Sequence, residues 1–397
     1  MPSTPLGNRG FMRTLNRSIV LNAIKTNGPI DRARIARRIH LSPATVTTIT
    51  ADLISEGLIY EKEPGDSHGG RRPILLAINP QGAYVVGIKL TETKAIAALT
   101  DLEATVLAKR SSGLNGFNPE SAVELMAQLT NSLLVEAGVP SEKLIGVGVG
   151  LAGIVDFQKG IVRNATYLGW QNLPIRDLLH EKINAEIYID NDVNTLTLAE
   201  VLFGCGQGID NFLTLTIGRG VGLGIITNGQ FYRGTGGGAG EFGHTVIDPE
   251  GAQCDCGKRG CLETLIGDPS LLRQAKSAYE KGELPAIPYK PGDLAEMALN
   301  GNQIAVNILK EAGAILGQSV ANLINLFNPQ RILISGEGVA RGPIFFEAMK
   351  KSMQTYALPN LYSDVDLRVE PWGDDVWARG AASLVLRSIF ESPIHES

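Results

Sequence analysis

The 397-residue sequence contains only four cysteines and five histidines, and aromatic residues make up 6% of it. It has no signal-like apolar run after its N-terminal charges and no uncharged stretch long enough to span a bilayer. Its 46 glycines follow no collagen-like period, and no repeat of solenoid length is present. These absences predict a cytoplasmic protein of two or three ordinary domains, outside the membrane-spanning, fibrous and disulfide-framework classes.

Charge is unevenly distributed along the chain. Residues 1–80 carry 11 Lys and Arg against 6 Asp and Glu, whereas the remainder carries 25 against 35. The net charges are therefore +5 and −10. A basic head on an acidic body indicates that the head binds a polyanion and the body does not, with a chance excess of five charges as the alternative.

The first 80 residues have the pattern of a winged helix-turn-helix. An apolar-periodic segment near Leu15–Lys25 is followed by a second helix that begins at Asp31, an acceptable N-cap. Ser42-Pro43 then gives an N-cap with proline at the first helical position, which predicts the start of a third helix. Segments 58–60 and 74–78 predict the two strands of a wing.

The third helix has the side chains of a DNA-reading helix. Val46, Ile49 and Leu53 recur at helical spacing and face the core, which leaves small and hydroxyl side chains on the opposite side. Such side chains let a helix enter a major groove, and two arginines beside glycines at the wing tip suit a minor groove or a phosphate row. The predicted DNA contacts are Ser42, Ala44, Thr45, Thr47, Thr48, Arg71 and Arg72. The alternatives are a protein-interaction module for the head and a solvated hairpin tip for the arginines.

The rest of the chain alternates strand-like and helical segments, which predicts an α/β protein with two lobes. The predicted strands are 84–88, 95–99, 144–149, 185–189, 212–216, 221–226 and 331–335, and the predicted helices are 119–137, 194–203 and 302–326.

A cluster of thiols and one imidazole forms a candidate metal site. His244 is followed by Cys254, Cys256 and Cys261. Three thiolates and one imidazole are a sufficient tetrahedral set for Zn²⁺, and four protein ligands leave no open position for catalysis. The sequence therefore predicts a structural zinc ion, with a loop of free thiols as the alternative. Cys205 lies apart and is predicted to be an ordinary buried cysteine.

Several motifs in order resemble those of the ROK family, which includes sugar kinases and repressors of the actin/hexokinase-like fold. Residues 217–225 resemble the family's glycine-rich signature, 240–263 its sugar-and-zinc segment, and 191–194 its catalytic-aspartate segment. The family's regulators carry a winged helix-turn-helix ahead of this body, so the resemblance covers essentially the whole chain. It implies a head at 1–80, a first actin-like lobe at 81–200 onto which a C-terminal helix near 377–391 packs back, and a second lobe with the zinc loop at 201–376.

The resemblance also implies a sugar site lined by Asn191, Asp192, Glu241, His244 and Glu263. Carboxylates form strong, charge-assisted hydrogen bonds with hydroxyl groups. One ring nitrogen of the histidine would bind zinc while the other faces a sugar hydroxyl. Loop or helix capping is the alternative role for the two glutamates, and the loop at 164–170 would help to select the sugar.

The same resemblance predicts a body that is no longer an enzyme. In the kinases of the family, a turn with one aspartate and two glycines opens the nucleotide lobe. At the matching positions this chain has Lys89, Thr91 and Glu92, which would obstruct Mg²⁺ and phosphate. Arg219 also replaces a small residue in the second phosphate turn, although Asp192, the family's general base, is retained as a vestige.

We therefore expect a sugar-responsive repressor that binds operator DNA as a homodimer or homotetramer. An ATP-dependent sugar kinase with a DNA-binding appendage, and a scaffold that responds to a protein partner, are the alternatives.

Overall fold

The computed structural model describes residues 9–62, 73–114, 116, 118–371 and 374–390. The N-terminal part is a winged helix-turn-helix, as predicted. Its elements are α1 (Arg9–Asn27), β1 (Ile30–Asp31), α2 (Arg32–Ile39), α3 (Pro43–Ser55), β2 (Ile59–Lys62) and β3 (Leu75–Ile78). Strand β3 lies between β1 and β2 and pairs antiparallel with both.

Local capping chemistry fixes where the head's helices begin. The Asp31 carboxylate accepts a hydrogen bond from the backbone N–H of Arg34 at 2.9 Å. The Ser42 hydroxyl accepts one from the N–H of Thr45 at 3.1 Å. Each bond satisfies a helix N–H that has no partner within its own helix. Between the two helices, His40 adopts a left-handed conformation with φ of 55°, which makes the turn sharp.

The first lobe is built on a five-stranded sheet in the order β11-β7-β4-β5-β6. Strands β4, β5 and β6 form an antiparallel meander, and β7 and β11 add to it in parallel. A small antiparallel sheet of β8, β9 and β10 leads into the last helices of the lobe. Its elements are β4 (Tyr84–Leu90), β5 (Lys94–Asp101), β6 (Val106–Gly113), α4 (Pro119–Ala137), β7 (Leu144–Leu151), β8 (Ile154–Asp156), β9 (Ile161–Ala165), β10 (Trp170–Leu173), α5 (Ile175–His180), β11 (Glu186–Asn191) and α6 (Asp192–Phe203).

The second lobe repeats this topology with the order β14-β13-β12-β15-β16, which again is an antiparallel meander extended by two parallel strands. Its elements are β12 (Phe212–Ile217), β13 (Val221–Thr227), β14 (Gln230–Phe231), α7 (Leu262–Ile266), α8 (Asp268–Glu280), α9 (Pro291–Leu299), α10 (Gln303–Phe327), β15 (Arg331–Ser335), α11 (Gly342–Tyr356), α12 (Pro359–Asp364) and β16 (Asp366–Val369). The duplicated sheet establishes the two-lobed actin/hexokinase-like body. None of the helices in the described parts of the chain is long and apolar enough to cross a membrane.

The C-terminal helix α13 (Asp374–Phe390) packs on the first sheet, between that sheet and the head. Its approach to β7 is very close, because a Cβ added to Gly148 would lie 1.8 Å from the backbone oxygen of Ala381. Ile24 of the head, Val85 of β4 and Val385 of α13 belong to one buried cluster. The head and the first lobe therefore share a hydrophobic core.

Candidate functional site

The start of α6 places two of the predicted sugar-site residues at the carboxyl end of β11. The Asn191 side-chain oxygen accepts from the N–H groups of Val193 at 2.8 Å and Asn194 at 3.3 Å. Its amide nitrogen donates to the backbone oxygen of Gly153 at 3.0 Å. Asn191 is thus the N-cap of α6, and Asp192 is the first residue of that helix.

A buried ion pair just before this helix joins the lobes and was not foreseen from the sequence. Arg233, which follows β14 in the second lobe, donates to the Asp190 carboxylate through Nε and Nη2, each at 2.8 Å. The guanidinium also lies over the rings of Phe157 and Phe231. Both nitrogens contact the same oxygen, Oδ2, and two charge-assisted hydrogen bonds from one guanidinium restrict its position. No short motif marks it, because its partners are 43 positions apart.

Two close backbone approaches hold the loop that carries Glu241 and His244 against β13. Gly240 has a φ of +89°, and an added Cβ would lie 2.0 Å from the backbone oxygen of Leu223. At Gly243 the added atom would lie 2.3 Å from another backbone oxygen of the same strand. Only glycine fits these positions without moving the backbone.

Four of the five predicted sugar-site residues surround one polar site. His244 Nδ1 lies 3.3 Å from Glu263 Oε1, and His244 Nε2 lies 3.7 Å from Glu241 Oε2. Burial raises the pKa of Glu241, and the charges of Glu263 and Asp192 raise it further. Burial also raises the pKa of Asp192. The side chain of Asn191, the fifth residue, makes its hydrogen bonds to backbone groups instead.

The four predicted metal ligands His244, Cys254, Cys256 and Cys261 converge, with ligand atoms that all lie within 4.8 Å of one another. The Cys256 and Cys261 sulfurs are 3.6 Å apart, and Cys254 Sγ lies 3.5 Å from His244 Nδ1. Tetrahedral zinc with ordinary bond lengths requires about 3.8 Å between two sulfurs and about 3.6 Å between sulfur and nitrogen. The donor set and its spacing therefore fit a metal ion of this type.

The turn that matches a kinase phosphate loop is closed on itself. The Thr91 hydroxyl accepts hydrogen bonds from the N–H groups of Thr93 at 3.4 Å and Lys94 at 3.1 Å. It also donates to the Lys94 backbone oxygen at 2.9 Å. The amides that could contact a phosphate are thus directed inward, to a side chain of the same turn.

Protein charges fill the cleft next to this turn. Lys89, in β4, is 8% exposed, and its Nζ lies 3.9 Å from Asp192 Oδ2. Burial lowers the pKa of Lys89 to about 8, although the nearby charges of Asp192 and Glu337 oppose this shift. Across the cleft, Arg219 in the turn between β12 and β13 forms an ion pair with Glu92 in the turn between β4 and β5.

The head presents an exposed polar helix face. Ser42, Ala44, Thr47 and Thr48 of the α3 region are exposed, and Thr45 is half-buried. The hydroxyls of Thr47 and Thr48 donate to backbone oxygens one turn earlier, at 2.8 and 3.1 Å. Arg71 and Arg72, the predicted wing contacts, lie outside the described residues.

Neighbouring helices add basic residues that the sequence analysis did not single out. Arg34, Arg37 and Arg38 on α2 are exposed. Arg34 also pairs with Asp31 at 3.2 Å, and Arg13 on α1 pairs with Asp52 on α3 at 2.8 Å. The sequence motif marks the third helix and gives no signal for the α2 arginines. Phosphate contacts can come from any basic group that lies beside that helix.

These features define a DNA-binding protein whose body is a two-lobed, sugar-kinase-like fold with a polar cleft. The chain belongs to the ROK family, whose profile matches residues 85–388. A second profile, winged helix-turn-helix DNA-binding, matches residues 16–60.

Relatives and solved structures extend over nearly the whole chain. The xylose repressor of Caldicellulosiruptor bescii is 30% identical, over 98% of this chain and 99% of that protein. The DNA-binding transcriptional dual regulator NagC of Escherichia coli is 30% identical, over 97% and 95%. A crystal structure of a ROK family transcriptional regulator, a homolog of the E. coli MLC protein, superposes with a TM-score of 0.86 at 26% identity and covers 96% of this chain and 98% of its own. A ROK family glucokinase from Streptomyces griseus, solved with glucose and AMPPNP, matches with a TM-score of 0.65 at 26% identity, over 76% and 99%.

Proposed function

We propose that this protein is a sugar-responsive transcriptional regulator that represses carbohydrate-utilisation genes by binding operator DNA. The observation that carries the proposal is the hydrophobic core that the DNA-binding head shares with the lobe that presents Asp192. Packed side chains of the first lobe thus connect the cleft, where Asp192 lies, with the DNA-binding head. Relatives of nearly equal length named xylose repressor and N-acetylglucosamine repressor support the same function.

The proposed effector is a sugar held between the lobes by Asp192, Glu241, His244 and Glu263, with Asn191 as the N-cap that fixes the start of α6. Three carboxylates and an imidazole can accept and donate hydrogen bonds to several hydroxyls of one small ligand. A Zn²⁺ ion bound by His244 Nδ1 and the three clustered cysteines would hold the histidine in place, leaving Nε2 on the side of Glu241. The ion would be structural, because four protein ligands leave no open position.

We propose that the body does not transfer phosphate from ATP. The Thr91 hydroxyl occupies the amides of the turn, and the carboxylates of Glu92 and Glu337 would repel a triphosphate. The Lys89 ammonium faces Asp192, so that carboxylate has a protein cation as its neighbour. Asp192 then serves as a hydrogen-bond acceptor for the effector.

The proposed DNA interface is the exposed face of α3 in the major groove, flanked by the wing. A homodimer or homotetramer would place two heads on half-sites one helical turn apart, or multiples of it. The proposed contacts are Ser42, Ala44, Thr45, Thr47 and Thr48, with Arg71 and Arg72 at the wing tip.

Helix α6 supplies a direct route from effector to head. It begins at Asp192 and ends at Phe203, whose ring lies 5.4 Å from Lys25 Nζ of α1. Lys25 also lies 4.1 Å from the ring of Phe390 in α13. The units that we propose to move are the head (1–80), the first lobe (81–200, with the C-terminal helix from about 377) and the second lobe (201–376). Sugar binding would favour one arrangement of these units, and the same arrangement would change operator affinity.

The test is fluorescence anisotropy of the full-length protein on DNA from upstream of its own gene, at fixed salt, with xylose, glucose or N-acetylglucosamine. We expect one sugar to change operator affinity by about 5- to 150-fold. Asp192→Asn should lose this response and keep sugar-free DNA binding, whereas the exposed control Glu181→Gln should keep both. Specific binding that no sugar alters would contradict the proposal, as would ATP turnover with a hexose.

A further inference from the structure

Arg219 connects the second lobe to the first at two points. Its guanidinium pairs with the Glu92 carboxylate, 127 positions away, and lies 4.5 Å from the centre of the Tyr167 ring. Glu92 lies in the turn after β4, and Tyr167 lies between β9 and β10, so both partners belong to the first lobe. One second-lobe side chain thus contacts two separate first-lobe segments.

Tyr167 borders the proposed effector site. A Cβ built on Gly220 would lie 3.3 Å from Glu263 Oε2 and 3.9 Å from the Tyr167 hydroxyl, so both groups face this glycine. Burial, with the Glu263 charge as the next cause, raises the pKa of Tyr167 to about 12. Near neutral pH the Tyr167 phenol is therefore an uncharged hydrogen-bond donor close to Glu263, one of the residues proposed to bind the sugar.

Among the described residues, two ion pairs cross between the lobes, and they differ in burial. The side chains of Arg233 and Asp190 are 18% and 1% exposed, whereas those of Arg219 and Glu92 are 57% and 23% exposed. A buried ion pair is costly to separate, but an exposed pair can open and reform. The contact made by Arg219 is thus suited to follow a change in lobe position.

We propose that Arg219 is a positioning residue of the effector site, which holds Tyr167 beside the sugar and ties the closed lobes together through Glu92. The proposal rests on the proposed function and adds two residues to its site. Since the pair is exposed, its loss should weaken sugar binding by only about two- to five-fold, and by less at high salt.

The first experiment is calorimetric titration of the full-length protein with the sugar that alters operator affinity, at low and high salt. We expect Arg219→Gln to raise the sugar Kd about two- to five-fold at low salt, with sugar-free operator affinity and thermal midpoint unchanged. Glu92→Gln should have a smaller effect, and the double variant should bind no more weakly than Arg219→Gln. The charge-exchange variant, Arg219→Glu with Glu92→Arg, should restore part of the sugar affinity. The control Arg273→Gln, on the exposed side of α8, should leave the sugar Kd unchanged.

An unchanged sugar Kd in Arg219→Gln at low salt would overturn the proposal, and so would strictly additive effects in the double variant. If no sugar acts, the proposed function fails, and hydrogen–deuterium exchange still tests the lobe contact without ligand. Arg219→Gln should then speed amide exchange at 91–94 and 164–170 relative to Arg273→Gln, and equal exchange in both variants would refute the contact.

Discussion

Lys89→Met should stabilise the protein at neutral pH, because the native side chain is a cation held in a buried position. Burial lowers the pKa of Lys89 from its ordinary value of 10.5 to about 8, even with Asp192 3.9 Å away. A shift of this size corresponds to about 3 kcal/mol of destabilisation whenever the lysine is charged. That value already contains the attraction of nearby carboxylates, so it is an upper limit for the gain on replacing the ammonium by a methionine of similar shape.

The pH dependence follows from the direction of the shift. Since the folded pKa of Lys89 is below the unfolded one, the unfolded chain binds more protons between pH 8 and 10.5. The contribution of Lys89 to the free energy of unfolding therefore rises with pH across that window. Below pH 8 the lysine is charged in the folded protein, and its full destabilising effect is present. The advantage of Lys89→Met should be largest at pH 7 and should shrink towards pH 10.

Thermal unfolding of the two proteins at pH 7 and pH 9.5 measures this difference, because other titrating groups are common to both. We expect the variant to melt up to about 4 °C higher at pH 7. Lys94→Met, which removes an exposed lysine from the same hairpin, should show no comparable pH-dependent gain. A variant that is less stable than the native protein at pH 7, or a difference that stays constant with pH, would refute the reasoning.

Three further changes test the metal cluster, the docking of α13 and the contact between head and body. Cys256→Ser should reduce bound zinc, measured by elemental analysis, below one ion per chain, because one of the four ligands is lost. Gly148→Ala should destabilise the fold by about 1–3 kcal/mol in denaturant unfolding, because its Cβ would lie 1.8 Å from the Ala381 oxygen. Lys25→Met should change the sugar-induced shift in operator affinity by about two- to five-fold, through loss of its contacts with Phe203 and Phe390.

The first two of these changes have matched controls. Cys205→Ser should keep the zinc, because that sulfur lies outside the cluster. Gly113→Ala should be tolerated, since its added Cβ would meet only one atom, at 3.9 Å. Zinc retained by Cys256→Ser would contradict the ligand assignment, and equal stability of the two alanine variants would contradict the packing argument. An unaltered sugar response in Lys25→Met would show that α6 and α13 do not act through this lysine.

Features with local causes could be predicted from the sequence. Ser42-Pro43 marked the start of α3 because the N-cap hydroxyl and the proline act within one turn. The metal ligands were identifiable because three thiols fall within eight positions, and the structure brings them together with His244. Long periodic segments were predicted closely, and α4 has the predicted bounds, Pro119–Ala137.

Features that depend on distant residues could not be predicted. The short strands β8 to β10 carry little periodicity, and their pairing is decided by the tertiary fold. Val85 is recognisable as an apolar strand residue, but nothing in its neighbourhood indicates that it shares a buried cluster with α13 and the head. Glu92 and Arg219 were noted only as departures from a kinase pattern, whereas the structure pairs them with each other. Complementary charges 127 positions apart leave no local signal.

Two cross-lobe ion pairs in the described part of the chain give the proposed switch one contact that stays closed and one that can open easily. Asp190, held by Arg233, lies directly before α6, and Asp192 begins that helix. A sugar bound at Asp192 therefore acts where α6 is anchored to the second lobe, and the far end of the same helix lies against the head's Lys25. If both pairs were buried, the lobes would resist closure. If both were exposed, closure would lack a defined axis and the effector would impose no single orientation on the head.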